Sequence, residues 1–312
     1  MDQNQSAMHE TFQLPSKMKL KFRKLMLHDE SVLADAMNDK RADIEETIEQ
    51  IVTSCVVSVV DPGPYTKLKE GDSLTQRSWL EILRGDYFCA CLKLREMSYR
   101  DRGKIDVDLK CDAGGTCKHE FAVEVDISND LIYQELPEES FNRLREGKSF
   151  ETIVAGRKVQ FMLSMGKSQH LARKYMEQYS GRTMAAGLRS RIISVEGVES
   201  RDIMDWLDGQ GKNPEYMGLT ADDAEDLRDA FDAADCGVDT TLEAKCPKCH
   251  GYFDFVLPFT GIFLPSKNIT KRKKEARRKK RQQRRTILSK DLDVTNGDLM
   301  SEEIQEEKPG NE

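Results

Sequence analysis

Long hydrophobic runs and secretion signals are absent from this 312-residue sequence. No stretch approaches the ~18 consecutive apolar residues that a membrane-spanning helix needs. The first ten residues, MDQNQSAMHE, lack the basic start and the apolar core of a secretory signal. Aromatic residues make up only 7% of the chain, against 33% charged residues. We therefore expect a soluble protein with no membrane span, made and folded in a reducing cytosol and large enough for one or two domains.

Histidine is scarce, and no arrangement of side chains typical of an enzyme is present. No serine stands in a G-x-S-x-G motif. The stretch MGKSQ at 165–169 resembles the end of a phosphate-binding loop, but Phe161 stands where that motif needs a glycine. We therefore expect no catalysis and no small-molecule substrate. None of the five histidines stands in a H-E-x-x-H motif or at a spacing that suggests a proton relay. They lie at positions 9, 28, 119, 170 and 250.

Positive charge is concentrated in one segment near the C-terminus. Residues 271–285, KRKKEARRKKRQQRR, contain eleven basic residues and one acid, whereas the rest of the chain has 37 basic and 54 acidic residues. The last segment, 286–312, is acidic again, with two lysines and eight acids. The body of the protein is therefore acidic and suited to basic partner surfaces. The basic side chains are those of Lys271, Arg272, Lys273, Lys274, Arg277, Arg278, Lys279, Lys280, Arg281, Arg284 and Arg285.

Two interpretations of this basic segment remain open. Lysine and arginine can bind nucleic acid through its phosphates, so nucleic acid is a candidate partner. The segment has no aromatic residue that could stack on bases, so readout of a sequence is not expected. The alternative is a solvated tail, or a tail that binds an acidic partner.

Hydrophobic periodicity predicts both helices and strands along the chain. The clearest helix follows Thr220, which can cap it together with Asp223 in a variant of the capping box. One long helical stretch is expected to break at Gly85. The predicted helices lie within residues 29–38, 43–56, 71–99, 168–208 and 219–237, and the predicted strands lie within 12–25, 104–111, 120–126, 156–166, 241–246 and 251–259.

The eight cysteines include two closely spaced pairs, each in a turn between strand-like segments. The pairs lie in KCDAGGTCKHE at 110–120 and in KCPKCHG at 245–251. Cytosolic thiols stay reduced, and paired cysteines in that compartment more often bind metal or do redox chemistry. Four thiolates leave no open coordination position, so a shared zinc site would be structural. Its predicted ligands come from two facing β-hairpins and are Cys111, Cys117, Cys246 and Cys249.

Alternatives to this zinc site remain open. The four thiols could be free cysteines in exposed turns, where they would be prone to oxidation. They could also form two separate sites, with His119 and His250 as additional ligands, and iron could replace zinc in a shared site. We expect Cys55, Cys89 and Cys91 to pack in the core, and Cys236 to be structural or partly exposed.

The order of several stretches resembles a phage family, the T-even-type baseplate hub and hub-assembly proteins of contractile-tailed bacteriophages. The resemblance covers about 12–266. It implies a non-enzymatic component of the central baseplate, or a factor for its assembly, with other baseplate or tail proteins as partners. It also implies that the four cysteines of the predicted zinc site correspond to the paired cysteines of the family. The stretches that carry the resemblance are FQLPSK, GDYFCACLKLREMSY, the first cysteine pair with EFAVEVD, GRKVQFMLSMGKSQH, GVDTTLEAKCPKCHGYFDFVLPF and FLPS.

The chain departs from this family in two ways. Its first cysteine pair has C-x5-C spacing, where C-x2-C is more usual. The charged segments after about residue 268 look like an addition.

These patterns together predict an α+β fold in which two cysteine-bearing hairpins form a zinc-ribbon-like site. The hairpins are expected at 105–126 and 241–257, and a largely helical insertion at about 131–235 separates them. We expect a disordered N-terminus, one α+β domain and a disordered charged tail, at residues 1–12, 13–266 and 267–312.

The predicted function is structural. We expect a component or assembly factor of the tail baseplate hub, stabilised by Zn²⁺, which is present in the host cytoplasm during assembly and in the virion tail if it is retained. The alternative is a nucleic-acid-binding zinc-ribbon protein that uses the basic segment 271–285. A zinc enzyme would need a metal site with an open coordination position, which four thiolates do not provide.

Overall fold

A computed structural model describes most of the N-terminal 263 residues. Contacts divide the chain into two units, 1–263 and 264–312, and all of the second unit lies outside the described residues. The basic segment 271–285 and the tail that we predicted to be disordered therefore lie outside them too. The described residues are 9–39, 42–99, 103–114, 117–211, 215–258 and 262–263.

Strands and helices alternate along the first unit, which confirms the predicted α+β class. None of the described helices is long and apolar enough to cross a membrane. The strands are β1 His9–Gln13, β2 Lys19–Arg23, β3 Val56–Asp61, β4 Lys104–Lys110, β5 Glu120–Asp126, β6 Ile132–Gln134, β7 Phe150–Val154, β8 Arg157–Phe161, β9 Ile192–Val195, β10 Gly237–Asp239, β11 Thr241–Lys245 and β12 Tyr252–Val256. The helices are α1 Leu27–Asn38, α2 Ile44–Cys55, α3 Gln76–Trp79, α4 Arg84–Ser98, α5 Glu138–Arg145, α6 Gly166–Gln178, α7 Thr183–Arg189, α8 Ile203–Asp208 and α9 Ala221–Ala234.

The strands pair in several small antiparallel sheets. Three-stranded sheets have the orders β1–β2–β3 and β7–β8–β9, whereas β4–β5 and β11–β12 are two-stranded hairpins. The short strands β6 and β10 pair with each other, with Tyr133 opposite Val238. Since β6 follows the first hairpin and β10 precedes the second, this pairing closes the long insertion between them and brings the two hairpins together.

One hydrophobic core connects the first sheet with the helices around it. Leu20 and Phe22 of β2 are fully buried in the same cluster as Ile48 and Val52 of α2 and Leu92 of α4. On α2 the buried residues recur at helical spacing, as the sequence predicted, and Asp43 caps its N-terminus by accepting hydrogen bonds from two backbone N–H groups. The predicted capping box of Thr220 and Asp223 is confirmed at the start of α9.

The break that we predicted at Gly85 is wrong. The helical stretch is interrupted at residues 80–83, between α3 and α4, and Gly85 lies in the first turn of α4. A Cβ atom at Gly85 would lie 2.1 Å from the carbonyl oxygen of Cys236. The glycine therefore permits the close approach of α4 to the chain that enters β10, and it does not end a helix.

The insertion between the hairpins contains more strands than we predicted. Ile192 and Ile193, which we expected on a helix, lie in β9. Ile192 is 3% exposed and Ile193 is 43% exposed, which is the alternation of a strand. Periodicity alone does not distinguish such a short apolar run from part of a buried helix.

Two strands of the first sheet were also missed. β1 includes residues 9–12, which we assigned to the disordered N-terminus, and β3 follows α2 without a loop. Both strands pair with β2, where Phe12 lies opposite Leu20. Their strand conformation depends on this pairing, since strand formation is set more by neighbouring strands than by local preference.

Candidate metal centre

The first cysteine pair lies at the turn of the β4–β5 hairpin. The two strands pair in continuous register from Lys104 opposite Asp126 to Lys110 opposite Glu120. Cys111 directly follows β4, and its backbone N–H donates a 2.9 Å hydrogen bond to the carbonyl of His119. This bond extends the ladder into the turn and holds Cys111 in place.

The second cysteine pair lies at the turn of the β11–β12 hairpin, which was predicted as a hairpin. Cys246 donates from its backbone N–H to the carbonyl of Gly251 at 3.0 Å, and its own carbonyl accepts from the N–H of His250 at 2.9 Å. His250 has a φ of 60°, in the left-handed region. These bonds close a tight turn around the C-x2-C motif, with Cys249 inside it.

The two turns bring the four thiol groups into one cluster. All four Sγ atoms lie within 4.8 Å of one another, and all four cysteines are free. Two short contacts each join one hairpin to the other: Cys111 to Cys249 at 3.6 Å and Cys117 to Cys246 at 3.9 Å. A tetrahedral ion with Zn–S bonds of ~2.3 Å requires sulfur atoms about 3.8 Å apart. The cluster is therefore suited to a tetrahedral metal ion that joins both hairpins.

Residues beside and behind the four cysteines also join the two hairpins. A Cβ atom at Gly251 would lie 2.6 Å from the Cβ atom of Ala113, so the two turns approach each other at a position that has no room for a side chain. Behind the turns, the rings of Phe121 and Phe253 pack edge to face with centroids 6.2 Å apart. This packing supplies apolar contact that neither hairpin has alone.

The electrostatics of the cluster favour a bound cation. Burial opposes ionisation of Cys246, but the backbone N–H groups of Cys249 and Lys248 and the neighbouring thiols lower its pKa to about 7. At Cys111 the N–H of Ala113 lowers the pKa, whereas burial and the three other thiols raise it to about 12. A divalent metal ion would compensate the negative charge of thiolates held this close together.

The histidines next to the turns are not part of this cluster. The ring of His119 stacks on Phe121 with centroids 6.1 Å apart, and the group of four ligand atoms contains only cysteine sulfur. Two separate sites, each with a histidine, therefore do not match the geometry of the described residues.

The other cysteines lie in the core. Burial raises the pKa of Cys55 to about 11 and that of Cys89 to about 12. Such thiols are unreactive at neutral pH. Buried positions are found for Cys55, Cys89, Cys91 and Cys236.

Some residues that build the centre were not predicted from the sequence. Ala113 and Gly251 carry no ligand atom, and the pairing of β6 with β10 lies outside both motifs. Gly251, two residues after Cys249, was the one available signal for the close contact of the turns.

Comparison with family models matches residues 7–259 to the family described as T4 bacteriophage base plate protein. The match includes both cysteine hairpins and ends before the basic segment 271–285. It confirms the resemblance to T4-type baseplate proteins. Comparison with curated proteins and with solved structures gave no significant match. Because this match covers more than half of the chain, the chain belongs to the family of T4 bacteriophage base plate proteins.

Proposed function

We propose that this chain is a non-enzymatic component or assembly factor of the phage baseplate hub, and that it acts through contacts with other tail proteins. The observation that carries the proposal is the family match over 7–259, which supports a structural role in the baseplate of the virion tail. The hub assignment rests on the order of the stretches from FQLPSK to FLPS and on the late C-x2-C pair, which together resemble hub and hub-assembly proteins. In this proposal the chain is present in the host cytoplasm while tails assemble.

The proposal includes a structural Zn²⁺ ion bound by Cys111, Cys117, Cys246 and Cys249. The spacing of their sulfur atoms supports it, as does the shared burial of Cys111 and Cys246. Isolated two-stranded hairpins are at best marginally stable, so an ion shared by both would contribute directly to folding. Four protein ligands would leave no position for a substrate.

A second candidate function is nucleic-acid binding through the basic segment 271–285. Eleven basic side chains in fifteen residues favour phosphate contacts. This segment lies outside the family match, so the two functions can be separated by experiment.

Quantitative mass spectrometry of purified tails tests the hub proposal. The tails would first be treated with nuclease and washed in moderate salt. We expect a fixed, low copy number of the chain per tail. Presence in infected-cell lysate, but not in tails, would leave either an assembly factor or the nucleic-acid-binding alternative.

Deletion of 271–285 provides the control for the second candidate. The hub proposal predicts that the deleted chain still assembles with tail proteins. Loss of all complexes after this deletion, or after nuclease treatment, would contradict the hub proposal and favour nucleic-acid binding.

A further inference from the structure

A cleft of about 750 Å³ lies in the first unit, away from the metal centre. Its walls come from residues 64–68, residues 75–82, the loop between α5 and β7, the segment after β8, and Ile193 of β9. None of the lining residues belongs to the cysteine hairpins. A volume of this size is typical of ligand pockets and of grooves that receive a peptide segment.

Apolar side chains form a large part of the lining of this cleft, which we call its floor. Its one phenolic hydroxyl, that of Tyr65, donates to the buried carboxylate of Asp86 at 2.6 Å and accepts from the N–H of Leu83 at 3.1 Å. This hydroxyl is therefore already hydrogen-bonded to residues that do not line the cleft. A small polar metabolite would need converging polar groups, and an apolar floor favours side chains such as leucine or isoleucine. The floor includes Leu68, Ile82, Leu144, Phe150, Leu163 and Ile193.

The rim of the cleft is cationic. Lys67, Arg77, Lys148 and Lys167 surround a single acid, Glu81, which lies 3.5 Å from both Lys67 and Lys167. The side chain of Lys67 is 79% exposed and that of Lys148 is 67% exposed, although Lys148 also contacts an acid just outside the cleft. The positive charge of the rim is opposite to the net charge of the chain outside 271–285, where acidic residues outnumber basic ones. A cationic rim steers and orients an acidic partner.

We infer that this cleft binds a segment of another tail protein in which apolar side chains are flanked by aspartate or glutamate. The apolar floor receives the anchors, and the rim pairs with the flanking acids. Nucleic acid fits less well, because the aromatic rings of Tyr65 and Phe150 are buried and cannot stack on bases. The inference rests on the proposed function in one respect: that the bound segment belongs to another tail protein.

Photo-cross-linking on the purified full-length chain tests the cleft directly. One variant carries p-benzoylphenylalanine in place of Ile193, and the control carries it in place of Ile132, which is 70% exposed on β6. The probes are two labelled synthetic peptides with the same leucine pattern, one with glutamate flanks and one with lysine flanks, and a short single-stranded DNA. We expect the glutamate peptide to cross-link at position 193 and not at 132.

Position-specific cross-linking is needed because the segment 271–285 can itself bind acidic peptides. Equal cross-linking of the lysine peptide or of DNA at position 193 would overturn the inference. So would the absence of any cross-link there. If the glutamate peptide cross-links but the chain is missing from tails and from assembly intermediates, the cleft is correct and the hub proposal fails.

Charge reversal on the rim provides a second readout. Lys148→Glu combined with Lys167→Glu should weaken binding of the glutamate peptide about tenfold. The matched control, Lys174→Glu combined with Arg201→Glu, makes the same change in net charge outside the cleft and should leave binding within about twofold. Equal weakening by both pairs would contradict a specific cleft. Self-association of the chain that only the rim pair abolishes would identify a second copy as the occupant instead.

Discussion

Ser16 donates two hydrogen bonds to the buried carboxylate of Asp86, one from its backbone N–H at 2.9 Å and one from its hydroxyl. Tyr65 donates a third at 2.6 Å. Ser16 belongs to the stretch FQLPSK and Asp86 to GDYFCACLKLREMSY, two of the stretches that carry the family resemblance. A fully buried carboxylate needs such donors, and this contact joins the two stretches inside the core.

Removal of the Ser16 hydroxyl should destabilise the protein. We expect Ser16→Ala to lower the free energy of unfolding by about 2 kcal/mol, because hydrogen bonds to charged groups contribute ~1.5–3 kcal/mol. Urea denaturation measures the change. The control is Ser73→Ala at an exposed position, where we expect a change below about 0.5 kcal/mol. Equal effects of the two substitutions would rule out a special role for the buried carboxylate.

Asp86 should make stability depend on pH. Burial raises its pKa from 3.8 to about 6, although Ser16 and Tyr65 oppose this by donating hydrogen bonds. Since the pKa is higher in the folded state, the stabilisation from protonated Asp86 is complete below about pH 4 and is lost as the pH rises through about 6.

A comparison with Asp86→Asn isolates this effect, because asparagine does not titrate. The stability of the wild type relative to the variant should fall by up to about 3 kcal/mol between about pH 4 and pH 7. Denaturation curves at several pH values give this difference. A difference that stays constant with pH would show that the pKa of Asp86 is not raised.

The four-cysteine cluster should hold one zinc ion per chain. We expect Cys246→Ser to abolish zinc binding and to lower the thermal stability, because a structural metal contributes its binding energy to folding. Elemental mass spectrometry on protein purified without chelators measures the content, and visible absorbance distinguishes iron from zinc. The control variant Cys89→Ala removes a buried thiol of the core and should keep its zinc. Zinc retained in Cys246→Ser would contradict the site.

Two glycine substitutions should have opposite effects. At Gly251 an alanine would force its Cβ atom against Ala113, so Gly251→Ala should weaken zinc binding and cost about 1–3 kcal/mol of stability. At Gly187, in α7, nothing lies within 4 Å of the added Cβ atom, and Gly187→Ala should stabilise the protein by about 0.5–1 kcal/mol. Thermal denaturation compares both variants. A neutral Gly251→Ala would mean that the two turns are not in close contact.

Local patterns were sufficient to predict several elements. The alternation in KIDVDLK and EFAVEVD, joined by a glycine-rich turn, predicted the β4–β5 hairpin, and the helical spacing after Asp43 predicted α2. Strands that depend on distant partners were missed. β9 was assigned to a helix because two adjacent isoleucines fit either period, and pairing with β8 decides between them. Gly85 was misjudged because its role lies in contact with Cys236, far along the chain.

The sequence by itself determined the ligand type, the hairpins and the turn chemistry of each cysteine pair, because these depend on residues a few positions apart. It also determined the separation of the basic segment 271–285 from an acidic body. Only the tertiary structure decided that cysteines 129 and 138 residues apart share one cluster. The physical reason is the pairing of β6 with β10, which closes the insertion and places two turns against each other, and no local pattern specifies that contact.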